Sequence, residues 1–107
     1  MILFITGPTT EDVDNKTMFQ NIKSTARKHG HHTVDAYDLI KNFNTDDFES
    51  DEFLKEILIN ILSADMVFTL ADWHTNKASN IIVDLARKVN IEVKHITQFK
   101  TFLSCQQ

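Results

Sequence analysis

The run MILFIT at residues 1–6 limits this chain more than any other feature. It has no polar alternation before Thr6. A strand with one wet face would alternate with period two, so this segment needs apolar cover on both faces. A similar texture recurs at 65–70 (DMVFTL). Two shorter candidates stand at 32–36 (HTVDA) and 91–96 (IEVKHI). The stretches between them carry helical periodicity. Over 15–28, Met18, Phe19, Ile22 and Ala26 fall on one helix face, and Gly30 reads as the stop. Over 51–63, Phe53, Leu54, Ile57, Leu58, Ile61 and Leu62 form an apolar row and its neighbour, with Asp51 and Glu52 where acids favour a helix start. Thr75 is a plausible N-cap for a helix running to Val89 with the stripe Ala78, Ile81, Ile82, Leu85, Ala86 and Val89. The order β-α-β-α-β-α-β predicts an α/β fold: a mostly parallel four-stranded sheet with helices on both faces.

The 107 residues make one domain, with 96–107 as a weakly patterned tail. In that tail Phe99, Phe102 and Leu103 are apolar enough to dock on something, another subunit included. Residues 42–50 are polar and acidic and read as a loop. The single cysteine, Cys105, excludes an internal disulfide framework and a cysteine-based zinc finger. A net charge of −4 and a pI near 5.6 disfavour generic nucleic-acid binding. No apolar run approaches the roughly 20 residues that span a bilayer, and no signal peptide is legible. The expected setting is cytoplasmic, with no membrane contact.

Parallel sheets bind ligands beyond the carboxyl ends of their strands. Here that edge collects residues 6–10, 36–38 and 71–76. Gly7-Pro8-Thr9-Thr10 follows the first strand: a tight turn with two hydroxyls, lacking the second glycine and the lysine of a P-loop. Asp72-Trp73-His74-Thr75-Asn76 follows the third. Trp73 can stack on a base or ring, and Asn76 and Lys77 open a helix whose first amides favour an anion. The ligand-binding candidates are therefore Gly7, Pro8, Thr9, Thr10, Asp72, Trp73 and Asn76. His29, His31 and His32 cluster with Asp35 and Asp38. Successive strand residues point to opposite faces, so these imidazoles do not converge; neither a metal nor a cofactor is expected. The acids Asp46, Asp47, Glu49, Asp51 and Glu52 read as a solvated loop and helix cap.

In order and spacing, FITGPTT, ARKHGHHTVDAYDL, LSADMVFTLADW and the stretch with Ala86, Asn90 and Val93 resemble the nucleoside 2-deoxyribosyltransferase-like superfamily. They look most like its small branch common in bacteriophages and prophages. The resemblance spans about residues 1–96. It implies a three-layer, Rossmann/flavodoxin-like fold, a nucleoside or nucleotide ligand, and enzymes acting at the N-glycosidic bond. Members are often homo-oligomers. Their chemistry uses a Glu early in the last long helix, because an oxocarbenium-like transition state needs a nearby carboxylate. Carried over, that nucleophile falls on Ile82, its preceding glycine on Ala78, and the second acid on Ile57, beside Glu56. The expectation is a degenerate, non-catalytic relative that still holds a nucleoside or nucleotide. The alternatives are an active glycosidase with relocated carboxylates, Asp72 first and then Asp35, Asp38 or Glu56, and a module binding a host protein through residues 46–52 with Phe43, Phe48 and Phe53.

Overall fold

A computed structural model describes residues 1–8, 13–41 and 50–105. Thr9, Thr10, Phe43, Phe48 and the acids at 46, 47 and 49 lie outside the described residues. The four strands are β1 (Ile2–Thr6), β2 (His32–Asp35), β3 (Met66–Thr69) and β4 (Glu92–His95). They form one sheet in the order β2-β1-β3-β4, parallel at every pairing. The helices are α1 (Val13–Lys28), α2 (Ala36–Lys41), α3 (Asp51–Ser63), α4 (Lys77–Lys88) and α5 (Phe99–Cys105). This is a three-layer α/β fold of the Rossmann/flavodoxin type.

Each central strand sends alternate side chains into two separate cores. Leu3, Ile5, Met66 and Phe68 meet Phe19, Ile22 and Ala26 of α1 and Phe99, Phe102 and Leu103 of α5. Phe4 and Val67 meet Phe53, Ile57 and Ile61 of α3 and Ala78, Ile82 and Ala86 of α4. Leu3, Phe4 and Ile5 are all fully buried, which is the physical reason for the unbroken run at the start of the sequence. Each such side chain contributes about 1.5–3 kcal/mol on leaving water.

Three sequence expectations change. Ala36 begins α2 instead of ending β2, because Asp35 Oδ1 accepts the amide of Asp38 (2.7 Å) and so caps that helix. The cap of α4 is Asn76, not Thr75: Asn76 Oδ1 accepts Ser79 N at 2.9 Å. Thr75 instead closes a 3-10 turn over Trp73–Thr75, its Oγ1 donating to Asp72 O at 2.7 Å. The tail forms α5, whose three apolar residues are buried on the chain's own sheet. Asp51–Ser63 keeps its expected bounds, with Ser50 Oγ accepting Phe53 N at 3.3 Å. No described helix is long and apolar enough to cross a membrane.

Candidate functional site

From β1 the chain turns to β2 through α1 on one face; from β3 it turns to β4 through α4 on the other. The order therefore switches direction between β1 and β3, and open α/β sheets take ligands beyond the carboxyl ends of the strands at such a switch point. Gly7 and Pro8 leave β1 there. Gly7 is needed for packing: a Cβ at this position would lie 2.6 Å from Leu70 Cβ. Leu70 N in turn donates to Thr6 O at 2.8 Å, so the two strand ends are joined at the switch point.

From β3 the chain reaches Asp72 in the left-handed region (φ 61°, ψ 19°) and then the 3-10 turn. Trp73 is half-buried there, its amide donating to Leu70 O and its carbonyl accepting Asn76 N. The rings of Trp73 and His74 meet edge to face at 6.2 Å. Asn80 Nδ2 donates to His74 O and Asn76 O, both at 2.9 Å, and braces the turn from α4. Ser79, fully buried, donates its hydroxyl to Gly7 O at 3.0 Å. With that proton used, the 2.9 Å contact between Ser79 Oγ and Thr6 Oγ1 must have Thr6 as donor. The start of α4 is thereby tied to the end of β1. Ser79 and Asn80 were not among the sequence candidates. A polar residue inside the apolar stripe of α4 was the available signal for Ser79.

The structure thus brings together Gly7, Pro8, Asp72, Trp73 and Asn76 at one sheet edge. Asn76 Oδ1 is occupied by its helix. The carboxylate of Asp72 is exposed and has no partner among the described residues. Asp35 is 3% exposed, with Lys23 Nζ at 2.9 Å from Oδ2 and the Asp38 amide on Oδ1. Both its oxygens are engaged. Lys23 also reaches Asp38 at 3.0 Å, and the hydrogen bond it donates to Asp35 chiefly, opposed by burial and aided by Asp38, raises the Lys23 pKa above its ordinary value. Glu56 lies half-buried on α3, 3.5 Å from Asn60 Nδ2. Ile82, Ala78 and Ile57 are each 0% exposed in the α3/α4 core, and so is Phe53.

The histidines do not converge. His29 Nδ1 lies 3.0 Å from Thr25 O, His32 is exposed, and His31 is buried against Phe102, ring centroids 5.5 Å apart. No group of three or more metal-ligating side chains occurs among the described residues.

Fold and edge together define an open parallel α/β protein with a switch point between β1 and β3. Residues 1–95 match the family described as a domain of unknown function (DUF4406), and the chain belongs to that family. Neither a curated protein nor a solved structure matches it.

Proposed function

We propose that this chain binds a nucleoside or nucleotide at the carboxyl edge of its sheet, without glycosidic chemistry, as a degenerate relative of the nucleoside 2-deoxyribosyltransferase-like proteins. One observation carries the reading: Trp73, half-buried in a braced turn, stands at the switch point beside the start of α4. An indole there offers a stacking face, and the first amides of α4 offer donors to an anionic or hydroxyl oxygen. Gly7 and Pro8, at the end of β1, stand across the edge from Trp73. Ile82 and Ile57 stand where the resemblance puts the two acids, and both are core, so the carboxylates of the glycosidase mechanism have no counterpart there.

Trp73 is the single tryptophan, so its fluorescence reports directly on this site. Titration with the common nucleosides and their monophosphates should quench or shift its emission, and Trp73→Ala should weaken binding as measured by calorimetry. Binding unchanged in Trp73→Ala would count against the reading. The unpaired carboxylate of Asp72 supports a second one, in which that group assists cleavage. Base release that disappears in Asp72→Asn would replace the binder with an enzyme.

A further inference from the structure

The register places Thr6, Thr69 and His95 side by side across β1, β3 and β4. They leave the sheet on one face, and the Thr6–Ser79 contact identifies it as the α4 face. All three stand at the carboxyl edge. Two are committed: Thr6 to Ser79, and Thr69 through Oγ1 to Lys94 O at 3.4 Å. His95 is half-buried and caps the short turn over Ile96–Gln98. The amide of Thr97 donates to its Nδ1 at 3.2 Å, and Thr97 Oγ1 lies 3.0 Å from the same nitrogen. A backbone N–H can only donate, so Nδ1 is the acceptor and the ring proton sits on Nε2. Nε2 has no partner among the described residues.

We infer that His95 is a binding determinant of the carboxyl edge, an Nε2–H donor of fixed direction that takes a phosphoryl oxygen of a nucleoside monophosphate. The inference rests on the nucleotide reading above and adds phosphate selection to it. Strands lie about 4.8 Å apart, so His95 stands roughly 10 Å across the edge from Thr6, about the length of a nucleoside. A ligand lying along the edge from the Gly7 turn would bring one end to β4. A donor there favours an anionic acceptor over a neutral hydroxyl, because charge-assisted hydrogen bonds are the stronger kind. Lys94 does not serve this role: its register with Phe68 puts it on the opposite face, where its ammonium pairs with Glu92 at 3.4 Å.

The test uses the four nucleoside monophosphates and their parent nucleosides, titrated calorimetrically into three proteins. Wild type should prefer the monophosphates by about tenfold. His95→Asn keeps a cap oxygen for the Thr97 amide but lacks the far donor, and should erase that preference. His95→Gln places a donor near Nε2 and should retain part of it. Nitrogen-15 spectra should show the Nε2–H tautomer at His95. Four results would overturn the inference and leave the nucleotide reading standing: equal affinity of wild type for both ligand classes, tighter binding of the nucleosides, a preference unchanged in His95→Asn, or the Nδ1–H tautomer. Binding of neither class by wild type overturns both.

Discussion

At the scale of single residues, the site depends on small clearances. Gly7 packs onto Leu70 so closely that even a methyl group must displace it. Gly7→Ala should therefore cost about 1–3 kcal/mol in chemical denaturation, and the added Leu70→Ala should recover part of that loss in a double-mutant cycle. A loss no smaller in the cycle would mean that Gly7 is needed for its backbone instead. Ile82 makes the complementary case. Ile82→Glu would supply the carboxylate that the proposed kinship implies, but it puts a charge among Phe4, Phe53 and Ile57. It should abolish cooperative unfolding at neutral pH without producing base release. The place of Gly7, Pro8, Asp72, Trp73 and Asn76 at the sheet edge was legible because they follow directly on two apolar runs that read as parallel strands. His95 was not, since IEVKHI reads as strand to Ile96 and nothing in its pattern marks where the edge begins.

At the scale of elements, α1 and α4 end in the same way. Gly30 (φ 82°) and Asn90 (φ 61°) each occupy the left-handed position after a helix, and the amides of His31 and Ile91 each reach back to an alanine carbonyl. Gly30 announces such a stop; Asn90 does so only in context, because asparagine also suits helices, caps and turns. The bounds of α3 were legible from six apolar positions in regular spacing. Those of α5 were not: a seven-residue helix with three apolar side chains has too little period to read, and its contacts with Phe68 decide it. Phe102→Ala should cost about 3–5 kcal/mol although it lies near the chain end. Between α1 and β2 the tie is ionic. Lys23→Met leaves Asp35 buried and unpaired, and should cost about 3 kcal/mol at pH 7. A loss under about 1 kcal/mol would show that Asp38 and solvent compensate.

At the scale of the whole molecule, stability should depend on pH through His31. Burial first, then the amino terminus and His29, push its pKa below the ordinary 6.5. Both ring nitrogens are buried and have no partner among the described residues, which favours the neutral form in the folded protein. A folded pKa below the unfolded one means that the unfolded chain takes up the proton more readily. This contribution is complete above about pH 6.5 and is lost as pH falls below it. Melting temperature should drop from pH 7 to 5.5, and His31→Phe should flatten that slope. An identical slope in the variant would exclude His31 as its source. A saturating ligand acts globally too: at 100 times its dissociation constant it adds about 2.7 kcal/mol to the stability of wild type.

The family match covers residues 1–95, yet Phe99, Phe102 and Leu103 complete the cover of the sheet face that α1 shares. The matched segment and the segment that builds the core are thus different lengths of chain. Helix α5 walls the side of the sheet opposite α4. Exchanging that wall for another apolar segment would change the surface this face presents to other molecules, while Gly7, Trp73 and the start of α4 kept their places.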